Sequence, residues 1–172
     1  CSNNLKQMGL AAHNFESANG TMPPPRHLTL VNNALASSDA TPQIMMLPYV
    51  EQDNLRRLWD LNYNVNSDAP IHSSIPAKPG ANAVARVTEV SIFLCPSDPS
   101  SAKTFNAGRL NYFGNMGATA AWLSGGSAGS GMFIRPPSNP PSGVLKGPAI
   151  TAISDGTSNT AMFAEIIRGT FG

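Results

Sequence analysis

The sequence predicts an α+β fold with an antiparallel sheet, and three observations carry that prediction. Apolar residues near the start recur at helical spacing. A long middle stretch is rich in Pro, Asn and Ser. Short β-like runs gather towards the C-terminal side. One leading helix, then loops, then short strands is an order that belongs to the α+β class.

The leading helix is predicted over residues 2–18, because Leu5, Met8, Ala12 and Phe15 fall on one stripe. It stops at Asn19 and Gly20, since Gly adopts the left-handed conformation that closes a helix, and the prolines at 23–25 cannot continue it. No capping signal precedes the stripe, so the helix reads as already under way at Cys1, with further chain expected upstream. Residues 20–40 read as a loop. Thr41 followed by Pro42 is an N-cap with Pro at the first helical position. Leu47, Val50, Leu55, Leu58 and Trp59 then mark a second helical region, interrupted near Pro48.

Residues 60–80 carry many Asn, Asp and Pro and read as irregular. From Val84 the chain turns β-like, alternating partly from Glu89 to Leu94 and stopping at Cys95 and Pro96. Residues 110–113 and 132–134 are further short strands, and 158–167 is the best last strand. The run GGSAGSG at 125–131 is flexible by composition, whereas PPSNPP at 136–141 is a stiff turn or polyproline stretch. No internal repeat is present. The expected organisation is one domain over 1–172, comprising a helix (1–19), a helix and loop region (20–86) and a β-rich region (87–172).

Composition narrows the classes of function. A chain of 172 residues with 41% hydrophobic residues is long and apolar enough to bury a core. Only 12% of residues are charged, about half the usual quarter, and polarity comes from Asn, Ser and Thr instead. That balance leans towards an envelope or extracellular protein. A net charge of +1 without a Lys/Arg cluster argues against nucleic acid or an anionic membrane as partner. No run approaches the ~18 apolar residues of a membrane span, so no membrane contact is expected of these residues.

Four ordered motifs spread along the chain carry a resemblance. They are CSNNLKQMGLAAHNF at 1–15 with Gly20 and Met22; MLPYVEQ at 46–52 with Leu55; FLCPSD at 93–98; and ISDGTSNT at 153–160 with Glu165. NYFGN at 111–115 is a weaker fifth. Together they resemble a bacterial pilin-like family with a prepilin-type N-terminal cleavage and methylation segment, also known as bacterial solute-binding family ten. Family members carry a basic, hydrophobic leader before the Cys and often a later His followed by an Asp-Gly-Ser-type segment. Here the leader is absent from the sequence and no His follows His72.

The resemblance implies a long N-terminal helix packed on a small antiparallel β-sheet with long loops, Leu5, Met8, Ala12 and Phe15 forming the packing face. It implies an extracytoplasmic subunit, anchored before assembly in the inner membrane by an apolar helix upstream and akin to type IV pilins and type II secretion pseudopilins. Self-association through that helix and contact with secretion or pilus machinery follow as expected partnerships. The oxidising location implies a disulfide between Cys1 and Cys95, which would close a long loop.

Candidate chemistry is sparse. A thiol nucleophile needs His13 or His72 beside Cys1 or Cys95, and Cys95 lies at a strand end with no local activating context. No Cys-x-x-Cys or His-x-x-x-His pair exists for a transition metal. The sequence therefore predicts no enzyme. His13 reads as a half-buried packing residue. Residues 155–160 read first as an Asx-type turn entering the last strand. Their second reading is a calcium site, with hard oxygen ligands from Asp155, Asn159 and Glu165; no other cofactor is expected. Trp59, Tyr63, Tyr112 and Trp122, with Tyr49, form the aromatic set for a glycan or peptide platform on a tethered ligand-binding domain. Against that, Trp59 also reads as the core-facing end of a helix.

Overall fold

The computed structural model describes residues 1–100, 106–116, 131–133, 146–153 and 156–168. Its leading helix, α1 (Ser2–Asn19), ends where the sequence predicts. Gly20 takes the left-handed conformation with φ +75°, and its N–H donates to the Glu16 carbonyl at 2.7 Å. Met8, Ala11, Ala12 and Phe15 are buried, while Leu5 is half-buried. The stripe is thus the packing face. His13 instead lies on the exposed side, which corrects the expectation that it packs half-buried. A helix with one wetted face has room there for an imidazole at no desolvation cost.

Residues 20–40 are not a plain loop. They contain a hairpin of β1 (Leu28–Val31) and β2 (Ala34–Ser37), paired antiparallel from Leu28 opposite Ser37 to Val31 opposite Ala34. Asn32 and Asn33 connect the strands with φ +50° and +62°, the doubly left-handed geometry of a type I′ turn. Asn tolerates that region better than other side chains, so the pair makes a tight hairpin without Gly.

Pro42 opens α2 (Pro42–Met46) as the sequence predicts, although the Thr41 hydroxyl makes no cap bond. Pro48 sits in a 3-10 turn over Leu47–Val50, and Glu51, at φ +60°, redirects the chain into α3 (Asp53–Leu58). α1 lies against this 3-10 turn, α2, a second 3-10 turn over Ser91–Phe93 and a late strand. The helix is therefore cradled by helical turns as much as by strands.

The expected strand over 84–94 is replaced by α4 (Ala83–Val87) and the Ser91–Phe93 turn. Val84 and Val87 are 66% and 44% exposed while Ala85 is buried, so the valines do not mark an inward face. A local bond from the Arg86 N–H to the Asn82 carbonyl at 2.8 Å closes the turn instead. β3 (Tyr112–Gly114) pairs antiparallel with β4 (Phe163–Glu165), Tyr112 lying opposite Glu165. The last strand is shorter than predicted because residues 157–159 form a turn. Met132 and Phe133 are buried but belong to a turn rather than a strand. Among the described residues the strands thus form two separate two-stranded sheets. Residues 117–130 and 134–145, with the glycine- and proline-rich runs, lie almost wholly outside the described residues.

The core gathers Met8, Met46, Leu47, Phe93, Tyr112 and Phe133, so helix, helical turns and C-terminal strands share one interior. Among the described residues no helix is long and apolar enough to cross a membrane. Among the described glycines the tightest is Gly147, where a Cβ would stand 1.9 Å from the Met22 carbonyl oxygen; the Met22 N–H donates to the Pro148 carbonyl at 2.9 Å beside it. Gly147→Ala is expected to lower the free energy of unfolding by ~2–3 kcal/mol, because backbone rather than a movable side chain must give way. Urea titration of the two proteins measures the difference.

Candidate functional site

Three of the motif segments, 1–15, 93–98 and 111–115, meet at one junction between the first turn of α1 and the C-terminal half of the chain. Cys1 and Cys95 are joined by a disulfide, with Cα atoms 4.9 Å apart, as the resemblance implies. Beside it Asn4 donates through Nδ2 to the Leu94 carbonyl at 2.8 Å and, more loosely, to the Tyr112 hydroxyl at 3.4 Å. The Tyr112 O–H lies 3.4 Å from the Cys1 carbonyl. Burial pushes the Tyr112 phenol up, against the bond from Asn4, and the Glu165 carboxylate adds to the rise, so the ring keeps its proton. From below, buried Gln43 donates Nε2 to the Tyr112 carbonyl at 3.0 Å.

Asn111, only 1% exposed, is the hub of the second layer. Its backbone N–H donates to the Phe93 carbonyl at 2.9 Å, and its own carbonyl accepts from Ile166 at 2.8 Å. Its side-chain oxygen accepts the Cys95 N–H at 3.0 Å, while Nδ2 donates to the Ile166 carbonyl at 3.1 Å and to the Asp98 carboxylate. Asp98 also accepts the Ser100 N–H at 2.9 Å and both the backbone N–H and the Nε of Arg168 at 3.2 Å. The Ser100 N–H, then the Asn111 amide, hold the Asp98 carboxyl at about 2, and Arg168 adds to the effect. Arg109 braces the same corner, clasping Glu89 at 2.5 and 2.8 Å and donating to the Ser100 carbonyl at 3.0 Å.

Within this junction the Asp98 and Glu89 carboxylates are each held by cations or amides, and the two sulfurs are bonded to each other. Asn4, Gln43, Asp98 and Asn111 were given no role by sequence reasoning. The one signal for them is that amide and acid side chains punctuate apolar motif segments such as FLCPSD and NYFGN.

The other expected sites fare unevenly. Glu165 brings its carboxylate within 4.8 Å of both cysteine sulfurs, the one such cluster among the described residues; joined as a disulfide, the sulfurs have no thiolate to offer a metal. Of the calcium set, Asp155 lies outside the described residues. Asn159 is exposed in a turn closed by its N–H on the Gly156 carbonyl at 3.1 Å. The aromatic platform is not formed as expected. Tyr112 is fully buried and Tyr63 is 6% exposed, its O–H donating to the Pro76 carbonyl at 2.8 Å, so both rings belong to the interior. Trp122 lies outside the described residues. Tyr49 is held edge-on by Phe15 with ring centroids 5.5 Å apart. Trp59 is half-buried, packs on the core and borders an open cavity of about 270 Å³.

Among the described residues two histidine–serine contacts exist, neither beside the cysteines. His27 Nδ1 lies 3.0 Å from the Oγ of fully buried Ser38; burial, then the Arg56 charge, push the imidazole down, towards its neutral form. His72 Nδ1 lies 2.8 Å from Ser74 Oγ within one local turn. A buried hydroxyl and a solvated turn are not the geometry of an activated nucleophile.

The model of a family described as SBP_bac_10, protein of unknown function (DUF1559), matches residues 1–170. No curated protein and no solved structure matches the chain significantly.

Two outcomes test the junction. Replacing Cys1 and Cys95 by Ser is expected to remove ~4 kcal/mol of stability in denaturant titration, since the bridge closes a separation of 94 residues. Asp98→Asn is expected to melt lower than the parent near neutral pH. Because the folded-state carboxyl sits at about 2 against an ordinary 3.8, its contribution is complete above the ordinary value and fades as pH falls towards 2. The gap between the two melting curves should therefore close between about pH 5 and about pH 2.

Proposed function

This chain belongs to the DUF1559 family, and we propose that it is the exposed body of a non-enzymatic cell-envelope subunit that assembles or anchors through an apolar helical segment upstream of Cys1. The observation that carries this reading is the fixing of the first turn of α1. Cys1 is bonded covalently to Cys95, and Asn4 is tied to Leu94 three residues further along. Force arriving through a helix extended upstream would pass into the body at this junction rather than peel α1 from its bed. A solvated helix held only by its apolar stripe has no such protection, because local stability depends on buried contacts and bonds.

The disulfide also supports an extracytoplasmic location, where such bridges form and persist. The opposite side of α1, with Leu10 62% exposed, is available for a neighbouring helix in a pilin-like or pseudopilin-like assembly. Contact with secretion or pilus machinery belongs to the same reading. The rival reading, a tethered domain that captures glycans or peptides on an aromatic platform, has less support, since the rings of Tyr63 and Tyr112 are buried.

Leu10→Cys, placed in the protein expressed with whatever its gene encodes ahead of Cys1, is the test. Under mild oxidation in intact envelopes the expected product is a disulfide-linked pair of chains. A protein that is exported yet stays monomeric at every oxidant concentration overturns the assembly reading.

A further inference from the structure

The open cavity beside Trp59 lies between α2, α3, α4 and the stretch that leads into β3. Its inner wall is apolar and buried, formed by Leu47, Leu55, Val65, Ala85, Val90 and Phe93, with Trp59 half-exposed at the edge. At about 270 Å³ it is larger than the ~150 Å³ cavity that holds a benzene ring and smaller than the ~300 Å³ at which drug-sized pockets begin.

Thr41, Gln43, Asn66, Arg86, Thr88 and Arg109 also border it, and the partners of two of them, Gln43 and Arg86, leave one polar atom each to spare. Gln43 commits Nε2 to the Tyr112 carbonyl, and its amide oxygen has no partner among the described residues. Arg86 gives Nε to the Val65 carbonyl at 2.8 Å and Nη2 to Asp68, and its Nη1 has no partner among the described residues. Charge is balanced around the space, Arg86 against Asp68 and Arg109 against Glu89.

We propose that this cavity binds one uncharged, mainly aromatic molecule of about bicyclic size that carries a single hydroxyl. The apolar wall takes the ring system, and the spare amide oxygen and guanidinium N–H take the hydroxyl as donor and acceptor. A net charge on the ligand would lack a counter-charge, since each Arg is already paired. A sugar would set hydroxyls against the inner wall of Leu47, Leu55, Val65, Ala85, Val90 and Phe93, where they find no partner, and each unmatched one costs binding. The assembly reading plays no part in this inference, and either can fail alone.

2-Naphthol is the probe. Calorimetric titration into the whole chain is expected to give saturable one-to-one binding, with amide NMR shifts confined to the surroundings of Ala85, Val90 and Leu110. Glucose is expected to move none of these. Ala85→Leu, which fills the inner wall, should weaken 2-naphthol by about tenfold or more. If that variant fails to fold, Trp59→Ala at the edge replaces it, with the same expected direction. No saturable binding up to the solubility limit, shifts of equal size with glucose, or undiminished affinity in the folded variant overturns the proposal.

Discussion

The constraint on which this structure depends is the burial of a hydrogen-bonded amide, Asn111, at the meeting point of three chain segments. Its two carbonyl oxygens, backbone N–H and side-chain amide all find partners, in Phe93, Cys95, Asp98 and Ile166. A buried amide left with even one unmet group costs ~1–3 kcal/mol, so the arrangement is favourable only if every segment arrives together. That requirement explains why the Asp98 carboxylate, the Ser100 loop and Arg168 are drawn into the same lattice. It also explains why the disulfide lies where it does: Cys95, whose N–H the Asn111 side chain receives, is held in place for Cys1 by bonds that owe nothing to sulfur.

From this junction the molecule divides into regions of different character. The apolar stripe of α1, the Leu47–Val50 turn and Phe133 make a dry interior around Tyr112. On the far side a bracing set of Asn and Asp side chains organises residues 60–82, where sheet and helix are nearly absent. Fully buried Asn82 accepts the Asp60 N–H at 2.8 Å and its own N–H donates to Asp68 at 3.0 Å. Asn64 accepts from Asn66 at 2.9 Å in an Asx turn and donates to Asp39 at 2.7 Å. Amide side chains here take over the backbone satisfaction that regular elements supply elsewhere. The scarcity of charge and abundance of Asn in the composition follow from that substitution.

What could be read in the sequence was whatever a single period or a single residue's conformational preference decides. Met8, Ala12 and Phe15 obey the helical repeat, Gly20 closes it, and Pro42 opens the next helix. Tyr112 and Phe163 sit in strands because short aromatic runs bounded by turns leave few alternatives. The hairpin at 28–37 was hidden by its turn, since the pair Asn32 and Asn33 signals a type I′ turn less loudly than Asn-Gly and the strands have four residues each. Residues 84–94 misled because β-branched valines suggest a strand, whereas their exposure depends on what Arg86 and Asn82 bond to across the chain. The polar lattice was illegible for the same reason. The residues were visible as motifs, but which amide meets which carbonyl is decided by tertiary approach, and no local pattern encodes it.

The bonds from Asn4 to Leu94 and to Tyr112 join residues 90 and 108 positions apart, and the Asn111 amide reaches a further 55 residues to Ile166. Segments around residues 4, 94, 111 and 166 are thus tied into one cooperative unit, and shorter pieces of this stretch lack some of those partners. Loop closure over such separations precedes the contacts that reward it, which places this topology among slow, late-committing folders. Until residues 91–95 are available, α1 has only α2 and the Leu47–Val50 turn to close upon, and part of its apolar stripe stays open to other clients.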